Sequence, residues 1–358
     1  MLKALVYCEN EFTKIDGKVA NGLVRQSEKY EIVGIIDSAH AGLDAGEILD
    51  GKKNGIPIFS STVKAVDGLG YVPECFIYGI APLSSFLDKD QRQTLILAMT
   101  LGMNIINGLP EYLTEDKEFI KIAAINGVKI LDVRKPPNRK ELHNFTGKIK
   151  NVKIPVIAVM GTDCAVGKRT TALLLVNALK KEGLKPVFVT TGQTGILQGS
   201  RYGVAVDVLT SGYASGEVEN AILNACEREN PDIIVVEGQG ALSHPAFTSS
   251  VAILKGAMPS GIILQHPPKR INHCDYPDFP MPSLKSEIEL IESFIKTRVI
   301  AITLNHEEMT DAEVDIIQLE YELRYEIPTT DPLKYGCDKI VEKLIQDFPS
   351  LNKQKVIL

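Results

Sequence analysis

A glycine-rich turn that ends in lysine is the segment of this chain best suited to chemistry. The stretch VIAVMGTDCAVGKRTTALLL runs from an apolar segment, through Gly161 and Gly167, to Lys168 and a leucine-rich segment. In the order strand, loop, helix, successive backbone N–H groups and the positive end of the helix surround an anion. The glycines let the chain curl tightly, and the lysine adds a mobile positive charge. The residues predicted to bind phosphate groups are Gly161, Thr162, Asp163, Cys164, Ala165, Val166, Gly167, Lys168, Arg169, Thr170 and Thr171.

A second group of reactive side chains follows a later apolar stretch. The proline-rich segment ILQHPPKRINHCDYPDFPMPSL carries His266, Lys269, Arg270, His273 and Tyr276. Loops at the carboxyl ends of parallel strands are where α/β folds place ligands, and prolines hold such a loop in position at a lower entropic cost. The basic residues suit a carboxylate, and the histidines suit acid–base work near neutral pH. The spacing fits no standard zinc pattern, and the alternative is a solvated charged loop.

Two more glycine-rich segments follow apolar stretches. GALSHPAF carries His244 just after the stretch DIIVVEGQG, so we expect His244 to point into the same cleft. TTGQTGILQGSRYGVAVD carries Gln193 and Arg201 and is interpreted as a substrate or switch loop. The predicted substrate-binding residues are Gln193, Arg201, Lys269, Arg270 and Tyr276.

The composition narrows the classes of partner. With 39 basic and 45 acidic residues, the net charge of about −6 argues against nucleic acid or an anionic membrane as the main partner. The 44% hydrophobic content is that of a globular protein, and no apolar run reaches membrane-span length. The N-terminus has no signal-peptide pattern, and the six cysteines are scattered, as is typical of reduced thiols. We therefore expect a cytoplasmic protein, and a homo-oligomer.

Strand and helix patterns alternate along the whole chain, which indicates parallel sheets with helices on both faces. The polar, proline-containing segment RKPPNRKELHNFTGKIKN interrupts this alternation and is interpreted as a linker. The sequence therefore predicts an α/β protein with two doubly wound domains, one Rossmann-like and one resembling a P-loop NTPase. The predicted limits are 1–135 for the Rossmann-like domain, 136–152 for the linker and 153–358 for the P-loop domain.

The first domain lacks the fingerprint of a dinucleotide site. Such a site needs G-x-G-x-x-G directly after the first strand, whereas this chain has CENEFTKIDG there, with a single late glycine. Asp37 falls near the position of a ribose-binding acid, but an acid at a strand end is usually a helix cap. We therefore favour a domain that does not bind NAD.

The phosphate loop itself carries a resemblance to a known class. GTDCAVGK has one residue more than the usual G-x-x-x-x-G-K, and in this form, together with VEGQG, it resembles dethiobiotin synthetase and related P-loop ATPases and ligases. The resemblance implies ATP as cofactor, with Mg²⁺ at Glu237. Those enzymes follow the lysine with a threonine that binds the metal, but this chain has Arg169, which has no acceptor atom. Mg²⁺ would then rely on Thr170, Glu237 and Asp207, or the loop holds a diphosphate without metal.

A closer resemblance covers nearly the whole chain. Together, GTDCAVGKRTT, TGQTG, YGVAVD, VEGQGALSHP and HPPKRINHCDYPDFPMPSL resemble a bacterial and archaeal family with a Rossmann-like and a P-loop domain, some of whose members are named D-glutamate N-acetyltransferase. The resemblance implies acetyl-CoA as cofactor and an acidic amino acid as the small-molecule substrate. It also implies that the basic loop holds the carboxylates and that a histidine or Asp163 takes the proton of the amine. The predicted acid–base residues are Asp163, His244, His266 and His273.

Three functions thus stay open at the level of sequence. The first is acyl transfer from acetyl-CoA to an acidic amino acid. The second is ATP- and Mg²⁺-dependent chemistry on a carboxylate, as in ligases of the dethiobiotin synthetase type. The third is a nucleotide-binding regulator. Arg169 favours the first over the second, and the polar residues at the strand ends favour an enzyme over a regulator.

Overall fold

The computed structural model describes residues 1–82 and 86–352, and it divides the chain into two compact units. The first unit contains Met1–Pro136 and Gln193–Ser200, and the second contains Pro137–Gly192 and the described part of Arg201–Leu358. Residues 353–358, at the end of the predicted second domain, lie outside the described residues. Each unit is built on a parallel sheet with helices, so the predicted α/β fold class is confirmed.

The first unit has a six-stranded parallel sheet in the order β3-β2-β1-β4-β5-β6. This is the strand order of the Rossmann fold. The strands are β1 Leu2–Tyr7, β2 Tyr30–Ile36, β3 Ile58–Phe59, β4 Cys75–Tyr78, β5 Asn104–Asn107 and β6 Ile130–Asp132. The helices are α1 Lys18–Arg25, α2 Ala45–Asp50, α3 Thr62–Leu69, α4 Lys89–Thr100 and α5 Lys117–Asn126.

The start of α1 has a hydrogen-bond partner in another part of the first unit. In dinucleotide-binding domains the pyrophosphate lies against the N-terminus of this helix. Here Ala20 N donates a hydrogen bond of 3.1 Å to Gly79 O, so the loop after β4 already caps that N-terminus. Asp37 is buried and accepts from Ala39 N and Asn10 N, as expected of a capping acid. Both the start of α1 and Asp37 thus have hydrogen-bond partners within the first unit.

The second unit has a seven-stranded sheet in the order β15-β14-β11-β7-β10-β8-β9, and all its paired strands are parallel. A separate antiparallel pair is formed by β12 and β13. The strands are β7 Val156–Gly161, β8 Pro186–Thr190, β9 Tyr202–Gly203, β10 Ile233–Glu237, β11 Gly261–His266, β12 Asn272–His273, β13 Tyr276–Pro280, β14 Val299–Leu304 and β15 Thr329–Thr330. The helices after Pro137 are α6 Lys168–Lys181, α7 Gln193–Gln198, α8 Ser211–Glu229, α9 Ser249–Ala257, α10 Leu284–Ile295, α11 Asp311–Tyr325, α12 Pro332–Tyr335 and α13 Asp338–Asp347.

The central strand β7 shows why this sheet is buried on both faces. All six of its residues are buried, and they are apolar without interruption apart from Gly161, as is typical of a central parallel strand. Because side chains alternate across a strand, Val156, Ala158 and Met160 join one core cluster, and Ile157 and Val159 join the other. The sheet therefore fixes the end of β7, where the phosphate loop begins, from both sides.

The structure corrects several local predictions. The segment interpreted as a substrate or switch loop contains the helix α7 and the short strand β9. The proline-rich loop after β11 contains the hairpin β12–β13, and helix α9 was missed. Near the C-terminus the chain forms the short strand β15, followed by the helices α12 and α13. Among the described residues, no helix combines the length and apolarity needed to cross a bilayer.

Candidate functional site

Three neighbouring strands bring the reactive residues of the second unit to one edge of the sheet. Strand β7 lies between β10 and β11, with Val159 in register with Glu237 and Gly161 in register with Gln265. The phosphate loop, Glu237 and His266 therefore all lie at the carboxyl ends of adjacent parallel strands. This is the edge at which open α/β sheets bind ligands.

The phosphate loop has the backbone geometry that its sequence predicts. Gly167 has a φ of +100° and Ala165 a φ of +50°, so the chain curls before α6 begins at Lys168. A Cβ on Gly161 would lie 2.9 Å from the Lys168 Cδ atom, so only glycine lets the lysine side chain fold back over the loop. Lys168 Nζ donates a hydrogen bond of 2.5 Å to Asp163 O, and burial lowers the pKa of Lys168. A phosphate would offer this ammonium a stronger, charge-assisted partner.

Asp163 is the centre of the hydrogen-bond network beside the loop. Its Oδ1 lies 2.7 Å from His273 Nδ1, and its Oδ2 accepts from Arg270 Nη1 at 2.8 Å and from Cys274 N at 2.9 Å. The side chain is fully buried, which by itself would raise its pKa. The hydrogen bonds from His273, Cys274 and Arg270 outweigh burial and hold the pKa of Asp163 below its usual value. Asp163 is therefore a carboxylate that accepts from all three.

Arg270 is engaged by the protein on both sides of its guanidinium. Nη1 donates to Asp163 Oδ2 and to Cys164 O, each at 2.8 Å. Nε and Nη2 donate to Glu307 Oε1 and Oε2 at 2.7 and 2.6 Å, which is a bidentate pair. The guanidinium is thus bound by Asp163 on one side and by Glu307 on the other. The predicted contact between Arg270 and a substrate carboxylate would require one of these two ion pairs to break.

His244 lies beside the same carboxylate, but its Nδ1 accepts hydrogen bonds, whereas Nδ1 of His273 faces the carboxylate. Its Nδ1 accepts from Ala246 N and Phe247 N, both at 3.2 Å, and its Nε2 lies 3.6 Å from Asp163 Oδ1. The ring is stacked on Phe247 and meets the ring of His273 edge-on, with centroids 4.6 and 4.7 Å away. Burial lowers the pKa of His244, which favours the neutral ring. A neutral ring whose Nδ1 is an acceptor carries its proton on Nε2.

The carboxylate of Asp163 and the rings of His244 and His273 are also candidate metal ligands. Asp163, His244 and His273 each offer a ligand atom within 4.8 Å of the others, as a metal ion would need. A histidine binds a metal through an unprotonated nitrogen, and His244 has its lone pair on Nδ1, where two backbone N–H groups occupy it. The donor set therefore fits a hydrogen-bond network better than a metal.

His266 is buried directly beneath the loop. Its Nδ1 lies 2.8 Å from Thr162 Oγ1. Burial, together with the nearby charge of Arg270, lowers the pKa of His266 to about 4. A base with so low a pKa is a weak proton acceptor at neutral pH. The geometry therefore gives His266 a role in holding the loop, and its predicted acid–base role stays a prediction.

Glu237 occupies the end of β10, where a magnesium ligand was predicted. Its buried Oε2 accepts from Thr190 Oγ1 and, at 3.1 Å, from Thr191 N. Burial raises the pKa of Glu237, and the positive charges of Arg169 and Lys168 oppose that shift. A cation beside Glu237 would be repelled by both, so the residues present fit Mg²⁺ poorly.

The other two predicted magnesium ligands, Asp207 and Thr170, lie in other elements of the second unit. Asp207 is exposed in a short turn at Val206–Val208. Thr170 is half-buried in the first turn of α6. The hydroxyl beneath the loop is that of the next residue, Thr171, which donates a hydrogen bond of 2.5 Å to Gln265 Oε1. The metal prediction for Glu237, Thr170 and Asp207 therefore stays a prediction.

The remaining predicted substrate residues are dispersed. Lys269 donates to Glu308 O and forms a 2.7 Å ion pair with Glu313, on the first turn of α11. The Arg201 side chain is 79% exposed and lies 3.5 Å from Glu229. Tyr276 is the exception, because its ring meets that of His244 with centroids 5.8 Å apart. Gln193 begins helix α7, in the first unit.

Sequence reasoning missed residues that support the site. Glu307 fixes Arg270, Gln265 accepts from Thr171 and Thr303, and Phe247 stacks on His244. Asn305 Nδ2 also donates to Val166 O in the loop, at 3.1 Å. One signal was available, since Asn305 and Glu307 directly follow β14 and so lie at the same edge of the sheet.

The fold and this edge together define a two-domain protein with a Rossmann-like unit and a P-loop unit. Residues 143–341 match the family described as "Domain of unknown function (DUF1611_C) P-loop domain", and residues 38–136 match its Rossmann-like N-terminal domain. The chain therefore belongs to the DUF1611 family.

Several individual proteins are similar to this chain. A crystal structure of a DUF1611 family protein from Anabaena variabilis superposes with a TM-score of 0.89 at 29% identity, covering 97% of this chain and all of that one. A Pseudoalteromonas protein named D-glutamate N-acetyltransferase is 33% identical over 275 residues, which is 75% of this chain and 80% of the relative. A Tritonibacter scottomollicae protein of the same name is 27% identical over the same shares of both chains.

Proposed function

We propose that this protein is an N-acyltransferase that moves the acetyl group of acetyl-CoA to the amino group of an acidic amino acid such as D-glutamate. The observation that carries the proposal is the pairing of Asp163 with His273 beside the phosphate loop. A buried carboxylate that holds Nδ1–H of a histidine leaves its Nε2 as a general base, as in hydrolytic triads. The names of the two relatives point to the same reaction.

The phosphate loop suits a cofactor whose phosphates are held and not hydrolysed. The amides between Gly161 and Lys168, with the ammonium of Lys168, offer a diphosphate the contacts it needs. Arg169 adds a permanent positive charge to that of Lys168 and disfavours a divalent ion at Glu237. CoA carries a diphosphate and reacts at a distant thioester, so its chemistry requires no metal on the phosphates.

The transfer needs one base and no external oxidant or reductant. The neutral amine of the acceptor attacks the thioester carbonyl carbon, so a C–N bond forms and the C–S bond breaks. Nε2 of His273 takes the proton that the nitrogen loses. The departing CoA thiolate recovers this proton from the His273 imidazolium, which gives the free thiol and the N-acetyl amino acid. Asp163 holds the ring in position and stabilises its charged form.

A second candidate function is an ATP-dependent ligase. Its supporting observation is Glu237 itself, an acid at the end of the strand next to the phosphate loop, where P-loop NTPases hold Mg²⁺. The two candidates differ in what the loop should bind. The ligase requires ATP with Mg²⁺, and the acyltransferase requires acetyl-CoA without it.

Calorimetry and product analysis on the full-length protein separate the candidates. We expect acetyl-CoA to bind in the presence of a chelator, Lys168→Ala to lose that binding, and mass spectrometry to detect an N-acetyl product from D-glutamate. Lys180→Ala, at a lysine in the last turn of the same helix, is the control for charge and folding. Binding of ATP only with Mg²⁺, and no acetylated product from any acidic amino acid, would refute the proposal. Nucleotide binding with no turnover at all would indicate a regulator.

A further inference from the structure

Two histidines lie beside Asp163, and their hydrogen bonds fix opposite tautomers. His273 directs Nδ1 at the carboxylate, 2.7 Å away, so this nitrogen carries the proton and Nε2 carries the lone pair. His244 receives two backbone N–H groups on Nδ1, so its proton lies on Nε2. At one carboxylate the chain therefore presents a histidine that can accept a proton and another that can only donate a hydrogen bond.

The Nε2–H of His244 is a buried donor without a partner. The side chain is fully buried, and Nε2 makes no hydrogen bond with any described residue. Asp163 Oδ1, the nearest acceptor, is 3.6 Å away, which is too far for a hydrogen bond, and it already accepts from His273. Leaving such a donor unsatisfied costs about 1–3 kcal/mol, and native proteins keep few of them without a functional reason.

The surroundings hold this ring so that the donor cannot turn away. Phe247 stacks on one face at a centroid distance of 4.6 Å, and the rings of His273 and Tyr276 meet it edge-on. Rotation of the ring would also break both backbone hydrogen bonds to Nδ1. The direction of the N–H group is thus set before any ligand arrives, which is the condition for electrostatic stabilisation of a transition state.

We propose that the two histidines divide the reaction: His273 is the proton acceptor, and His244 is a neutral hydrogen-bond donor to the acyl oxygen that becomes negative as the amine attacks. The inference rests on the acyl transfer proposed above. When the C–N bond forms, the carbonyl electron pair moves onto that oxygen, and it returns when the C–S bond breaks. His244 keeps its proton throughout, and only His273 exchanges one.

The tautomers can be read without any activity. Long-range ¹H–¹⁵N correlation spectra of the full-length protein at neutral pH report which nitrogen of each imidazole is protonated. We expect His244 to show a protonated Nε2 and a bare Nδ1, and His273 to show the reverse, with assignments made from His244→Gln and His273→Gln. A protonated Nδ1 on His244, or a Zn²⁺ ion bound by Nε2 of His244, would overturn the inference.

Kinetics then test the roles. Glutamine retains an N–H group near the position of Nε2 but cannot act as a base. We expect His244→Gln to keep most of the kcat, and His244→Leu to lose roughly 10²–10³-fold, as when one oxyanion donor is removed. His273→Gln should lose as much kcat as His273→Leu. An equal loss in His244→Gln and His244→Leu would overturn the donor role.

Two controls keep these results interpretable. His306→Gln alters a histidine that pairs with a different acid, Asp331, and should retain the kcat. Thermal unfolding of each variant shows whether the leucine variant still folds. If the wild-type protein acetylates no acidic amino acid while the spectra show the expected tautomers, the proposed function fails and the assignment of the two rings stands.

Discussion

At the scale of single residues, the site depends on how many partners one buried carboxylate can hold. Asp163 accepts from His273, Arg270 and Cys274 N, and Arg270 is itself fixed by Glu307. A buried charge is tolerated when its lone pairs are filled in this way. A residue of the phosphate loop is thereby tied to the two loops that follow β11 and β14, so movement of the phosphate loop would disturb His273.

The stability of the second unit should depend on pH through His266. Its pKa is about 4 in the folded protein, against an ordinary value of 6.5, because the ring is buried beside Arg270. A depressed pKa means that folding favours the neutral ring. The stabilisation is therefore complete above pH 6.5 and is lost as the pH falls from 6.5 towards 4. The loss amounts to about 3 kcal/mol over that range.

Urea unfolding at several pH values measures this effect. His266→Asn is the comparison, because asparagine keeps a polar atom near the position of Nδ1 but does not titrate. We expect the free energy of unfolding of the wild-type protein to fall more steeply below pH 6.5 than that of His266→Asn. Parallel curves for the two proteins would mean that His266 is not buried in the neutral form.

At the scale of elements, the phosphate loop depends on the glycine that precedes α6. Gly167 has a φ of +100°, where a side chain is strained by about 1–2 kcal/mol. We expect Gly167→Ala to weaken binding of inorganic pyrophosphate, measured by calorimetry, because the loop must change its curl to relieve the strain. Gly212→Ala, near the start of α8 with open space at the Cβ position, is the control and should leave binding unchanged. Equal affinity in the two variants would contradict the role given to the loop.

Helices and strands could be predicted from the sequence where the residue pattern within the segment itself indicates the element. The apolar run of β7, the glycines of the loop and the helical spacing in α6 predicted a strand, a turn and a helix. The helix α7 could not be recognised in this way, because TGQTGILQG has three glycines and no clear apolar face. It is held by partners distant in sequence, such as Gly22. Hairpin β12–β13 is likewise rich in proline, and its pairing is only visible in three dimensions.

The site was predictable only as a set of residues. The rule that ligands lie at the carboxyl ends of strands led to His244, His266 and His273 from the sequence. Their roles depend on which nitrogen each ring presents, and that is set by backbone groups such as Ala246 N. The sequence shows the positive charge of Arg270 but not its partner, Glu307, so the predicted contact of Arg270 with a substrate stays a prediction.

At the scale of the whole molecule, the chain does not divide into two consecutive pieces. Helix α7 lies in the middle of the P-loop half of the sequence, but it belongs to the first unit. Leu197 is part of that unit's core, and Glu28 N donates to Gln198 O at 2.7 Å. The segments on either side of α7, strands β8 and β9, pair with each other in the sheet of the second unit. The first unit is therefore complete only when α7 is included.

Gln198 provides the test of this arrangement. Its Nε2 donates to Gly22 O at 2.7 Å and to Gln26 O at 2.9 Å, at the end of α1. Gln198→Ala removes both bonds from a buried position, which costs about 1–3 kcal/mol. We expect hydrogen exchange of the full-length variant to speed up in α1 and to stay unchanged in α8, which lies in the second unit. Gln346→Ala, at an exposed glutamine of α13, should change neither helix, because its amide faces water. Faster exchange in α8 alone would place α7 with the second unit, since a local loss of hydrogen bonds first destabilises the unit that contains them.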